Sequence, residues 1–317
     1  MRSAHLRQSF LRAPSGIAAS GAVGGAVDGA PGFAIDLEAI AAARPSLLRR
    51  LPSSGVAMTG LGIILFWVIV AVIAPLLPLP SPTAQDYLAI AHPAPSWHHL
   101  LGVDSLGRDT LSRLVWGARV VLVVAPVSVI VAYIVGTTMG LLAGYYPGAV
   151  DAVISRVSDV ILAFPVVVLY VVLIAAVGAS ALNIIIAVVL ASAPAVSRIV
   201  RGLALQLARQ DFVAAANLRR ESALFVMMVE ILPNCRGPLI TDFCLRLGYT
   251  VITIGTLGFL GLGIPPPAPD WGGMVQQATP MLTVFPAMAL FPVIALVSLV
   301  LGFNLLADGL TELSRAD

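Results

Sequence analysis

Lysine is missing from this sequence, and all 18 basic side chains are arginine. No Schiff-base or P-loop lysine can therefore reside on this chain, so it has no Walker A site of its own; if it uses ATP, another subunit must bind it. Charge of either sign is scarce. Charged residues make up 11% of the chain, against about a quarter in an ordinary soluble domain. The formal net charge of +2 is too small to indicate a nucleic-acid partner. Cysteine occurs only as Cys235 and Cys244; without a histidine nearby they make a poor metal site, and they are read as small apolar fillers rather than a disulfide. The four histidines, His5, His92, His98 and His99, all fall outside the long apolar runs, which argues against an enzyme acting inside a bilayer.

What the chain does have is apolar length. Hydrophobic residues make up 59% and mean hydropathy is +0.98, the composition of a membrane protein. A helix needs about 20 apolar residues to cross the hydrocarbon core. The runs that qualify are 56–77, 120–143, 160–177, a shorter 182–197, 239–262 and 282–306. The expected fold class is therefore all-α, a polytopic membrane protein of about six transmembrane helices with both termini on one side.

Arginine bias orients that plan. With the N-terminus inside, cytoplasmic segments hold Arg2, Arg7, Arg12, Arg44, Arg49, Arg50, Arg156, Arg198, Arg201, Arg209, Arg219, Arg220, Arg236 and Arg315, while external segments hold Arg108, Arg113 and Arg119. The expected organisation is a cytoplasmic tail over 1–54, a first transmembrane helix over 55–78 and an extracytoplasmic loop over 79–118. A five-helix core follows over 119–307, and 308–317 form a cytoplasmic C-terminal tail. The Ala/Gly/Ser/Pro-rich tail has no apolar run behind its basic start, so it is not expected to be a cleaved signal peptide; a short helix is expected over 35–43.

Residues 198–237 form the longest internal cytoplasmic segment, far longer than a bare connection needs. Within it, DFVAAANLRRESALFVMMVEILPN (211–234) places good helix formers behind Asp211, whose carboxylate is placed to cap the first turn. Ala214, Ala215 and Ala216 would leave a smooth surface for close approach. A second helical run, ESALFVMMVEIL, follows Arg219 and Arg220 and is expected to stop at Pro233.

This segment resembles the cytoplasmic loop of ABC-transporter permeases of the binding-protein-dependent importer type, which reads Glu-Ala-Ala, three residues, Gly, nine residues, Ile-x-Leu-Pro. With Pro233 on the final proline, Ala214, Ala215 and Ala216 fall on Glu-Ala-Ala, Arg220 on the glycine, Glu230 on the isoleucine and Leu232 on the leucine. Two positions depart from the pattern: Ala214 replaces the glutamate and Arg220 the glycine. Glycine allows positive φ at the bend, whereas arginine takes that conformation at a cost of order 1 kcal/mol. HHLLGVDSLGRDTLSRLVWGARVVL (98–122), GYYPGAVDAVISRVSDVILAFP (144–165), FLGLGIPPPAPDWGGM and NLLADGLTE are similar to the dipeptide, oligopeptide and nickel importers. The resemblance covers about 51–316 and is to their second permease subunit, conventionally given the letter C.

The resemblance implies a type I ABC importer permease fold and a transport role without catalysis. It implies a homologous second permease subunit, two ATP-binding subunits, an extracytoplasmic solute-binding protein and surrounding membrane lipid as partners, in a bacterial inner membrane. This chain would bind no cofactor; ATP and Mg would sit on the partner subunits. Asp211, Ala214, Ala215, Ala216, Arg219, Arg220, Glu221, Leu232 and Pro233 would form the ATPase-coupling loop. Di- or oligopeptides are the first substrate class implied, with nickel complexes, opines and other small solutes as alternatives.

Other residues keep two readings each. Asp104, Arg108 and Asp109 form either a capped turn with local ion pairs or an external gate or binding-protein contact. Asp242 and Arg246, four apart, can pair on one helix face and either line the translocation path or, in the case of Arg246, reach cytoplasmic phosphates. Arg156 and Asp159 are read as interfacial pairing. Gly136, Gly140 and Gly144 have small-residue spacing suited to close helix contact, in agreement with a tightly packed heterodimer, and Trp271 is a candidate interface anchor. The main rival, an ion-coupled secondary transporter, calls for inverted repeats and acidic residues at span centres; neither is evident.

Overall fold

The computed structural model describes residues 51–283 and 285–315; the tail expected over 1–50, with its short helix, lies outside the described residues. The described part belongs to one compact unit, residues 45–317, and contains no β-strand beyond a single isolated bridge, Val103 to Asp109. Its main helices are α1 (Gly55–Ile73), α2 (Thr110–Tyr145), α3 (Ala149–Leu162), α4 (Val166–Val177), α5 (Ala181–Leu207), α6 (Asp211–Leu218), α7 (Ala223–Phe259), α8 (Trp271–Ala278) and α9 (Ala287–Arg315). Five helices, α1, α2, α5, α7 and α9, are long and apolar enough to cross a membrane. The third expected span is instead a bent pair, α3 and α4, meeting at 87°, so the count is five or six.

Several helices begin where a side-chain oxygen takes up a free backbone amide. Ser54 accepts from Ala57 N–H at 3.3 Å, Asp109 from Ser112 N–H at 2.7 Å and Ser180 from Asn183 N–H at 3.1 Å. The Asp109 cap starts α2 ten residues before the expected second span. At the far end, the segment expected as a tail over 308–317 is helical as far as Arg315.

α2 and α5 run parallel at very close range. A Cβ on Gly136 would stand 2.6 Å from Ala193 O, one on Gly140 2.6 Å from Val200 Cβ, and one on Gly144 2.6 Å from Ala204 Cβ. The glycine stripe thus makes the close helix contact expected of it, and makes it within the chain. Charges reinforce the seam from α3: Arg201 of α5 donates from Nη2 to Asp151 at 2.6 Å, and Arg198 pairs with Asp159. Asp159 thus reaches across to α5 instead of pairing with Arg156 on its own helix.

Trp271 is fully buried and is no interface anchor. Its Nε1 donates to Leu114 O at 2.8 Å, and its ring meets Trp67 edge-on at 4.9 Å. The indole fits because Gly117 has no side chain; a Cβ there would lie 2.6 Å from Trp271 Cδ1. Cys235 and Cys244 are both free and buried, as apolar fillers would be.

Candidate functional site

The first site is the tip formed by α6. The backbone amide of Glu221 donates to Ala216 O at 3.2 Å and that of Arg220 to Asn217 O at 3.0 Å. These are the crossed hydrogen bonds of a Schellman turn, whose penultimate position adopts left-handed backbone. Arg220 occupies that position with φ +56°, the sole positive φ of a non-glycine residue among the described residues. The position that the resemblance sets on the loop glycine thus carries left-handed backbone, and here arginine holds it. Arg219 lies 3.6 Å from Glu221 and 3.4 Å from Glu230, tying the turn to the start of α7.

α6 has an inner and an outer face. Val213 and Ala216 are buried with Val200, Ala204, Val226, Ile231 and Cys235. Asp211, Ala214, Ala215, Asn217, Arg219 and Arg220 are exposed, and so is Leu218, at 85%. Ala216 therefore uses its small size inward, and only Ala214 and Ala215 keep the smooth outer surface. Asp211 is in the first turn, but the cap position falls on Gln210, and no side chain caps the helix; its carboxylate acts on the helix dipole alone. The bare Leu218 was not anticipated. Its signal was an isolated leucine next to the arginine pair, on the face away from Val213.

α7 does not stop at Pro233. Residues Val226–Ile231 form a π-helical stretch, with Leu232 N–H donating to Met227 O, and the helix then runs on through Pro233 and Pro238. In an unbroken α-helix the Pro233 ring would meet the carbonyl four residues back; the wider π turn opens the ladder at that point. Asn234 Nδ2 donates to Glu230 O at 2.6 Å, taking up a carbonyl in this break. Leu232 is half-buried and Pro233 exposed.

The second site is a polar seam along α7. Arg246 Nε donates to Asp242 Oδ2 at 2.7 Å, pairing the two as expected, and Tyr133 of α2 donates its hydroxyl to the same oxygen. Asp242, Arg246, Tyr249, Thr253 and Thr256 follow one another at helical spacing, which places them within one narrow stripe. Ser192 of α5 and Thr253 stand by the Tyr170 hydroxyl of α4. Asp242 and Arg246 are half-buried, and Tyr249 is 65% exposed. Tyr133 was missed because nothing local links it to residues on α7.

At the opposite end of α2, Asp104, Arg108 and Asp109 are turned inward. Asp104 accepts from Leu106 N–H and Arg108 N–H, both at 2.9 Å, and from Arg108 Nε at 2.7 Å. Gly107 closes the turn with φ +75°, a conformation that suits glycine. Arg108 Nη2 then reaches Gln277 of α8 at 2.7 Å, and Asp109 joins its cap to His99 Nδ1 at 3.0 Å. With 9%, 3% and 3% exposure, the three form a buried brace, the capped turn with local ion pairs of the two readings, and leave little surface for a partner. Asp86 accepts from the amides of Leu88 and Ala89 and from His99, which holds its carboxyl below the usual range, the Ala89 amide contributing most.

A helical membrane bundle with an exposed, rigidly hung tip and a polar seam along one span is the architecture of a transport permease. A sequence model of the binding-protein-dependent transport system inner membrane component matches residues 136–316, and one of the N-terminal TM domain of oligopeptide transport permease C matches residues 46–95. The chain is 40% identical to the glutathione transport system permease protein GsiD of Pectobacterium atrosepticum, over 75% of this chain and 78% of that one. It is 36% identical to the dipeptide transport system permease protein DppC of Alkalihalophilus pseudofirmus, over 83% and 86%. In fold it is similar to a chain of the inward-facing MetNI methionine ABC transporter, with TM-score 0.50 and 19% identity over 64% of this chain and 95% of that one. The chain belongs to the family of inner membrane components of binding-protein-dependent transport systems. It is a multi-pass permease subunit of an ABC importer, a transport protein and not an enzyme.

Proposed function

We propose that this permease forms half of a peptide translocation path, completed by a homologous second permease, and is driven through α6 by two ATP-binding subunits. ATP and Mg sit on those subunits, and this chain binds no cofactor. A solute-binding protein delivers substrate at the end bearing the α1–α2 loop, which is extracytoplasmic, while both termini lie in the cytoplasm. The arginine bias supports this orientation, and the names of relatives that carry glutathione and dipeptides support a peptide substrate.

One observation carries the coupling: α6 combines a locked inner face, Val213 and Ala216, with a bare outer one bearing Leu218. An element anchored on one side and free on the other can pass a partner's rigid-body motion into the bundle. Through Val213 it would push on α5 and on the π-helical start of α7, and α7 carries the polar seam. Closure of the ATPases would then swing the seam between the two sides of the membrane. Arg246 is the seam residue placed to meet a peptide carboxylate, exchanging Asp242 for the substrate.

Co-purification after expression with neighbouring transporter genes tests the assignment. A stoichiometric pair of ATPases and a second permease are expected, and Leu218→Asp should release the ATPases while leaving the permease pair intact. A lone chain that transports without them would overturn it.

A further inference from the structure

An apolar groove of about 470 Å³ runs between α1 and α2. Leu247 of α7 and Phe303 of α9, both buried, form its floor, while Val68 and Val72 of α1 and Val123 of α2 form exposed rims. Of its ten lining residues Arg119 alone is polar, so any charge in an occupant must meet that one side chain. Arg119 stands at the head of the groove: it directly precedes the apolar run of α2, and Leu122, Val123 and Pro126 lie one and two turns further in. Its guanidinium carbon is 5.8 Å from the centre of the Trp116 ring, one turn nearer the start of α2, which turns the side chain away from the hydrocarbon core. Arg119 is exposed and has no hydrogen bond or ion pair among the described residues, which leaves all of its N–H donors free. An arginine at the edge of a span is costly unless it meets water or a counter-charge.

The groove also faces away from the polar seam. At about 100° per residue, Leu247 lies about 140° round α7 from the middle of the Asp242–Thr256 stripe, so a second permease set on the seam leaves the groove open to the bilayer. We propose that it is a phospholipid site, in which one acyl chain lies between α1 and α2 on Leu247 and Phe303 and the phosphodiester accepts from the Arg119 guanidinium. The planar fork of arginine matches phosphate oxygens, and a lipid carries its anion at the level of Arg119 with an apolar chain below it. Free phosphate would leave the apolar part empty. Because no acidic residue lines the groove, the ammonium of phosphatidylethanolamine finds no partner there, and the site favours phosphatidylglycerol, whose headgroup has no cation to compete with Arg119. The lipid belongs to the leaflet at the end bearing the α1–α2 loop, and the site depends on the membrane setting of the permease, not on its substrate.

Photocross-linking in the assembled complex tests this. The full-length permease, co-purified with its subunits and carrying a benzophenone amino acid in place of Val123 on the exposed rim, is irradiated in nanodiscs of equal phosphatidylglycerol and phosphatidylethanolamine, and the adducts are identified by mass spectrometry. Phosphatidylglycerol adducts should exceed phosphatidylethanolamine adducts about fivefold, the scale of one arginine acting on an anionic lipid. Arg119→Gln should erase that preference, Arg119→Lys should keep much of it, and Arg209→Gln, which removes an exposed arginine far along the chain from the groove, should leave it unchanged. Equal yields of the two lipids with Arg119 present, or a ratio that Arg119→Gln does not alter, would mean unselective bilayer contact and overturn the proposal. A cross-link from position 123 to the second permease, or to residues 1–50 of this chain, would overturn it by naming a protein occupant. Should Arg119→Gln fail to assemble, the ratios with Arg119 present and in Arg119→Lys decide the matter by themselves.

Discussion

Arg220 concentrates the conformational cost of the α6 tip in one residue. Its left-handed backbone is enforced by the two crossed hydrogen bonds at the end of α6, and glycine would occupy it without a Cβ penalty. Arg220→Gly should raise the stability of the purified protein by up to about 1 kcal/mol in thermal unfolding and keep ATPase coupling intact; abolished coupling would mean that the guanidinium makes a required contact. Asp270 makes a second residue-scale prediction. Burial pushes its carboxyl up to about 6 in the folded protein, above the ordinary aspartate value of about 4, so the folded state holds a proton that the unfolded chain releases. The resulting stability is fully present below about pH 4 and is lost as pH rises toward 6, to the extent of about 3 kcal/mol. Comparing the melting temperatures of native protein and Asp270→Asn from pH 4 to 7 isolates this part, and parallel curves would refute it. The sequence marked Arg220 as the unusual position, because a glycine pattern falls there, but did not show that arginine keeps the left-handed backbone. The destination of Trp271 was not legible either, since it depends on Gly117, a residue with no local link to it.

At the scale of elements, hydrophobic length located the five long spans but not the bend that splits the third into α3 and α4, and spacing alone misjudged what some special residues do. Proline at 233 was expected to end a helix because an α-helical ladder was assumed; a π turn just before it removes the conflict and lets α7 continue for another 26 residues to Phe259. The stripe of Gly136, Gly140 and Gly144 announced a close contact without naming the partner, which is α5 of the same chain. Any side chain on Gly140 must displace Val200 or the Ser197 carbonyl, 2.6 and 2.7 Å from its Cβ position. Gly140→Val should therefore destabilise the bundle by about 1–3 kcal/mol, the usual cost of overpacking, seen as a lower melting temperature in detergent, whereas Gly202→Ala, with open space around it, should not.

At the scale of the whole molecule, the proposed path would run along the α7 seam, the half that one chain would build. Asp242 and Arg246 are costly inside a bilayer unless they pair or meet water, and here they pair with each other and with Tyr133. Tyr249, one turn further along, is 65% exposed in the middle of a span, so its surroundings in the assembled transporter reveal whether the stripe faces water or lipid. The two native cysteines are buried, which leaves a quiet background for labelling. Tyr249→Cys should react with a charged, membrane-impermeant thiol reagent in the assembled complex, and peptide substrate should slow the reaction. Val297→Cys and Leu301→Cys, exposed on the apolar α9, should stay unreactive. The opposite pattern would put lipid against α7 and require the path to run along a different helix.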